Sequence, residues 1–127
     1  MKRILIVDDE PAVAEVVAKV ARGCGYAVTV TTDAEEFVDR LIAVDPDVIV
    51  LDLSMPGTDG VELLRYLGTA KCRARILIMS GFDPRVLETT GKMGAALGLT
   101  IAGTLYKPAR VADLRAAFAA LERTVLL

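Results

Sequence analysis

Five short apolar runs recur along the chain, at residues 4–7, 28–30, 48–51, 76–79 and 101–105, separated by longer stretches with helical spacing. Strands alternating with helices are the pattern of βα units around a parallel sheet. Val48-Ile49-Val50-Leu51 and Ile76-Leu77-Ile78-Met79 are continuously apolar and read as strands buried on both faces. Val28-Thr29-Val30-Thr31 alternates, as an edge strand does. The expected architecture is a flavodoxin-like, doubly wound α/β fold with a five-stranded parallel sheet in the order 2-1-3-4-5 and five helices.

The first helix is read from Val13, Val16, Val17, Val20 and Cys24, with Gly23 and Gly25 as stop signals. In the second, Asp33 is the N-cap with Glu36 three residues on, Phe37, Val38, Leu41 and Ile42 share a face, and Pro46 ends it. The third starts near Asp59-Gly60, with Val61, Leu64 and Leu67 inward. The fourth has Asp83 as N-cap, Pro84 at its first position, and Val86, Leu87, Thr90 and Leu97 at helical intervals. Gly91, Gly94 and Gly98 weaken it. Val111, Leu114, Ala117, Phe118 and Leu121 form the stripe of the fifth.

In such a sheet, Asp8, Asp9, Asp52, Ser80 and Lys107 all fall at the same edge, because each lies just past the end of an apolar run. Two carboxylates about 4 Å apart repel by roughly 4 kcal/mol at an effective dielectric of about 20, so three of them call for a cation. The cluster suits Mg²⁺ and a phosphoryl group, since Mg²⁺ takes oxygen ligands from one or two carboxylates, phosphate and water. Each segment alone also has a plainer reading. Asp8-Asp9-Glu10-Pro11 could be an acidic turn with Glu10 toward solvent, Asp52 to Gly60 a strand-to-helix loop, Ser80 a strand-end hydroxyl, and Lys107-Pro108 an ordinary loop pair.

The 127 residues suit one domain spanning 1–127, and the 54% hydrophobic content and mean hydropathy of +0.47 fit a sheet covered on both faces. No effector domain is expected within it. No apolar run nears the roughly 18 residues of a membrane span, and Met1-Lys2-Arg3 opens no leader with a small-residue cleavage site, so a cytoplasmic protein without a membrane partner is expected. A net charge of −2 gives no overall reason to bind nucleic acid directly. Cys24 and Cys72 lack metal-ligand spacing and read as reduced thiols at or near packed positions. Histidine is absent, so any phosphohistidine must belong to a partner.

Val-Asp-Asp-Glu at 7–10, Asp-Leu-Ser-Met-Pro-Gly-Thr-Asp-Gly at 52–60, Met79-Ser80-Gly81 and Lys107-Pro108 stand in that order at the ends of strands one, three, four and five. Through them, and over essentially its whole length, the chain resembles the chemotaxis-regulator-like receiver domain of two-component response regulators. The resemblance implies a signalling switch that catalyses only its own phosphotransfer and dephosphorylation. Asp52 would be the phosphoacceptor, served by a histidine kinase or phosphotransfer protein. Asp9 would bind Mg²⁺ directly, Asp8 mainly through water, and Asp52 with the backbone carbonyl of Ser54 would complete the protein ligands. Lys107 would supply counter-charge, Ser80 would bond the new phosphoryl oxygens, Gly81 would leave space beside them, and Pro108 would follow a cis peptide.

The implied output is a changed surface on helix four, strand five and helix five, read by a downstream effector protein or fused domain, with a homodimer through the same face as one form. One departure concerns the switch. An aromatic ring commonly stands three residues before the lysine, where this chain has Thr104, while Tyr106 precedes Lys107 directly. Two rival functions remain at this stage: an aspartyl-phosphate phosphatase of the haloacid-dehalogenase kind, which wants Asp-x-Asp where the chain has Asp52-Leu53-Ser54, and an unphosphorylated interaction module.

Overall fold

The computed structural model describes residues 2–55, 57, 60–81 and 83–125. Ten elements alternate: β1 (Arg3–Val7), α1 (Pro11–Gly23), β2 (Ala27–Thr31), α2 (Ala34–Val44), β3 (Val48–Asp52), α3 (Gly60–Thr69), β4 (Arg75–Ser80), α4 (Pro84–Ala96), β5 (Thr100–Tyr106) and α5 (Val111–Val125). All pairings are parallel and the order is β2-β1-β3-β4-β5, as the apolar pattern predicts. Each strand runs a residue or so beyond its apolar core, so Asp52, Ser80 and Tyr106 are last residues of strands.

The central strands bury both faces, which is why their sequences do not alternate. One face carries Leu5, Val7, Ile49, Leu51, Ile76 and Ile78 against Phe37, Leu41, Leu64, Leu67 and Leu87 of α2, α3 and α4. The other carries Ile4, Ile6, Val48, Val50, Leu77 and Met79 against α1 and α5. Ile76 pairs with Ile101 but Leu77 with Gly103, so Ala102 is an added residue that bulges β5.

Caps behave as read. Asp33 accepts the Glu36 N–H at 2.7 Å, Asp83 accepts the Arg85 N–H at 2.7 Å, and α2 stops at Asp45, whose φ of +46° leaves the helix just before Pro46. Asp59, the expected start of α3, lies outside the described residues.

Several helix faces differ from expectation. Val16, Val86, Leu97 and Val111 are exposed, and Ile42 is 83% exposed. The buried stripe of α1 is Ala14, Val17, Ala18, Val20 and Ala21, and that of α2 is Phe37, Leu41 and Val44. Cys24 follows α1 and is exposed rather than packed, while Cys72 is half-buried. Gly94 has a packing reason beyond its low helix propensity. A Cβ there would stand 2.7 Å from Ile101 Cδ1, so glycine lets α4 approach β5. Among the described residues no helix is long and apolar enough to cross a membrane.

Candidate functional site

The C-terminal ends of β1, β3, β4 and β5 gather Asp8, Asp52, Ser80 and Lys107 at one edge, on both sides of the point where chain connections diverge. Backbone hydrogen bonds hold those ends in place: Asp8 N–H to the Thr31 carbonyl at 3.2 Å, Leu53 N–H to that of Met79 at 2.9 Å, and Lys107 N–H to that of Ser80 at 2.8 Å. Asp8, Asp52 and Ser80 are buried. The Lys107-Pro108 peptide is cis.

Lys107 is the hub. Its Nζ donates to Asp8 Oδ2, Asp52 Oδ2 and Glu10 Oε1, each at 3.2 Å, and its side chain is only 9% exposed. The other oxygen of each aspartate is held by its own loop. Asp8 Oδ1 accepts the Glu10 N–H at 3.0 Å, and Asp52 Oδ1 accepts from the Ser54 N–H at 2.9 Å and the Ser54 Oγ at 2.7 Å. One ammonium thus bridges two buried carboxylates, an arrangement in which charge pairing must offset desolvation.

The balance is visible in the protonation equilibria. Burial, reinforced by Asp52, pushes the Asp8 carboxyl up to about 6 despite the opposing Glu10 N–H and Lys107. Burial also disfavours the Lys107 charge, but Asp52 and Asp8 outweigh it and hold the ammonium above its ordinary value. The aspartate suffers from burial more than it gains from one shared cation.

Carboxylate oxygens of Asp8, Asp9 and Glu10 lie within 4.8 Å of one another. This hard-oxygen set suits a small divalent cation, and the fit rests on the donors themselves. Asp52 is not one of the three and connects to Asp8 through Lys107. Glu10 corrects the sequence reading: its side chain is 61% exposed, yet its carboxylate pairs with Lys107 rather than pointing only to solvent.

Gly81 is exposed, and a Cβ added there would meet nothing within 4 Å, so the open space belongs to the loop and not to the lack of a side chain. Thr104 and Tyr106 lie on the same exposed side of β5, and Tyr106 is the cross-strand partner of Ser80. Two contacts escaped the sequence reading: the Ser54 hydroxyl on Asp52, and Glu10 on Lys107. The first had a local signal, since Asp and Ser side chains often bond to groups two residues away in turns. The second depends on how the loop after β1 turns toward β5.

The response regulator receiver domain family matches residues 4–119. The transcriptional regulatory protein TrcR of Mycobacterium tuberculosis is 34% identical over 94 residues, 74% of this chain and 37% of TrcR. The transcriptional regulatory protein FixJ of Azorhizobium caulinodans is 37% identical over 93 residues, 72% of this chain and 44% of FixJ. The chain thus spans less than half the length of these curated relatives. Among solved structures, a response regulator from Colwellia psychrerythraea superposes with a TM-score of 0.82 at 26% identity, covering 97% of this chain and 98% of that one. The chemotaxis response regulator CheY4 of Vibrio cholerae gives 0.78 at 26% identity, covering 97% and 98%. The match across residues 4–119, with the sheet order and the strand-end cluster, places this chain in the response regulator receiver domain family.

Proposed function

We propose that this receiver takes a phosphoryl group onto Asp52 from a phosphohistidine of a partner kinase or phosphotransfer protein and changes a protein-binding surface in response. The supporting observation is the Asp52 carboxylate itself. It is buried, aimed by two hydrogen bonds from Ser54, and held beside the only ammonium that reaches it among the described residues. A carboxylate oxygen of Asp52 attacks phosphorus, the bond from phosphorus to the histidine nitrogen breaks, and the imidazole leaves with the electron pair. Lys107 lies where it can neutralise charge building on the phosphoryl oxygens. Asp8 and Asp9, with Asp52 and the Ser54 carbonyl, would hold Mg²⁺, which when bound supplies the remaining charge neutralisation. Ser80, at the end of β4, would bond a phosphoryl oxygen and carry the change toward α4, β5 and α5. Gly81, Thr104 and Tyr106 belong to that response. The output partner would be an effector protein, a fused domain or a second copy through the same face.

The test is mass spectrometry after treatment with a small phosphodonor and Mg²⁺. The wild-type chain should gain one phosphoryl group and Asp52→Asn none. Incorporation that persists in Asp52→Asn overturns the assignment, and steady release of phosphate from monoesters would favour the phosphatase reading instead.

A further inference from the structure

The opposite end of the sheet holds a second polar site. A cavity of about 830 Å³ opens there, beneath the N-terminal ends of β1, β3 and β4 and away from Asp52. Strands of five or six residues at about 3.3 Å per residue separate the two ends by roughly 15–20 Å.

Four basic side chains line this cavity, Lys2, Lys71, Arg73 and Arg75, against two carboxylates, Asp45 and Asp47. The lining is net positive although the chain carries a net charge of −2. The cations are not equally engaged. Lys2 pairs with Glu122 at 3.3 Å, and Arg75 Nη1 donates to the Leu121 carbonyl at 2.7 Å. The Lys71 and Arg73 side chains have no hydrogen-bond or ion-pair partner among the described residues. Asp47 is partly satisfied from within, because its Oδ2 accepts the Arg3 N–H at 2.8 Å.

Tyr26 also lines the cavity. It is 4% exposed, and its hydroxyl is buried beside the Glu122 carboxylate. Burial, and behind it the carboxylate of Glu122, push the phenol up to about 12, so it remains a donor. Glu122 is itself turned to Lys2. The remaining walls are apolar, including Ile42 and Pro46. Ile42 was expected to face the core and instead stands 83% exposed at this rim.

We propose that this cavity binds an organic phosphate of nucleotide size, its phosphate taken by Lys71 and Arg73 and its planar body laid against Ile42 and Pro46. The volume is in the range of small-ligand sites and larger than inorganic phosphate needs. Unpaired cations beside an apolar wall select for a molecule with both a charged and an apolar part. The site shares no residue with the Asp52 cluster, so it stands or falls independently of phosphoryl transfer.

The test is titration of the full chain in EDTA with adenosine monophosphate, adenosine and inorganic phosphate, followed by amide chemical shifts. Adenosine monophosphate should bind saturably and shift the amides of residues 45–47 and 71–75. Reversing both charges in Lys71→Glu/Arg73→Glu should weaken binding about a hundredfold. Circular dichroism checks that the double variant folds, and because Lys71 and Arg73 are exposed it should. Absence of saturable binding, equal affinity for adenosine, equal affinity for inorganic phosphate, undiminished binding by the double variant, or shifts centred on Asp8, Asp9 and Lys107 would each overturn the proposal.

Discussion

Replacing Asp8 by asparagine should stabilise the metal-free protein, and only at neutral to alkaline pH. The Asp8 carboxyl is lifted from 3.8 to about 6, with burial as the first cause. Its folded-state pKa lies above its unfolded value, so the folded chain binds this proton more tightly. The associated stability is complete below about pH 4 and is lost as pH rises through about 6. At about 1.4 kcal/mol per pH unit, the ionised carboxylate costs at most about 3 kcal/mol at pH 8. Water entering beside the largely exposed Glu10 screens part of this, leaving about 1–2 kcal/mol. An asparagine keeps an oxygen for the Glu10 N–H that Asp8 Oδ1 accepts at 3.0 Å, but loses the ion pair with Lys107. The net gain at pH 8 should be about 1 kcal/mol, or about 3–5 °C in melting temperature for a chain of this size. Thermal melts of both proteins in EDTA at pH 4.5, 6 and 8 provide the assay. The advantage of Asp8→Asn should grow with pH, and Mg²⁺ should raise the melting temperature of the wild type more than that of the variant. A variant less stable than wild type at pH 8 by as much as at pH 4.5 would refute the argument that Asp8 is a carboxylate held against its preference.

Lys107→Met should act in the opposite sense, leaving Asp8 and Asp52 buried with no cation between them and costing about 2–4 kcal/mol at pH 8 in EDTA. The loss should shrink below pH 5 as Asp8 takes a proton, and urea unfolding that shows the same deficit at both pH values would count against it. Two glycines should respond differently to alanine. At Gly91 the added Cβ meets only ordinary contacts of 3.7 Å and 3.9 Å, so Gly91→Ala should stabilise α4 by up to about 1 kcal/mol. At Gly60 it meets Leu53 Cδ2 at 2.6 Å and the Leu53 Cα at 3.2 Å, so Gly60→Ala should destabilise by about 1–3 kcal/mol. Equal shifts of the two urea midpoints would sink the packing argument.

The sheet was legible because burial on both faces writes unbroken apolar runs, and because one polarity of parallel strands brings all their ends to one edge. That is how Asp8, Asp52, Ser80 and Lys107 could be grouped from positions far apart in the chain. Helix faces were less legible for a reason visible in α1. Its buried stripe contains Ala14, Ala18 and Ala21, small residues that bring the helix close to the sheet while the larger Val16 stays outside. Hydrophobic spacing weights the larger residue and chooses the wrong flank. Ile42 fails likewise beside Phe37, Leu41 and Val44, which already complete the inward stripe of α2. Contacts such as Glu10 to Lys107 join residues 97 positions apart through flexible side chains, and no local pattern encodes them.

The missing aromatic at position 104 changes which route can join the site to the surface. Lys107 is engaged at both ends: its Nζ meets three carboxylates, and its N–H donates to the Ser80 carbonyl at 2.8 Å. Ser80 is also the ladder partner of Tyr106, whose ring is half exposed. A swinging ring is one way to carry a switch, but a parallel ladder keeps neighbouring strands about 4.8 Å apart, so one strand end cannot shift far without the other. In this chain the link from Ser80 to the end of β5 is already made in backbone hydrogen bonds. On the proposed reading, altered charge at Asp52 would act on Lys107 from one side while Ser80 acts on it from the other. Tyr106, attached between them, is then the exposed residue best placed to respond.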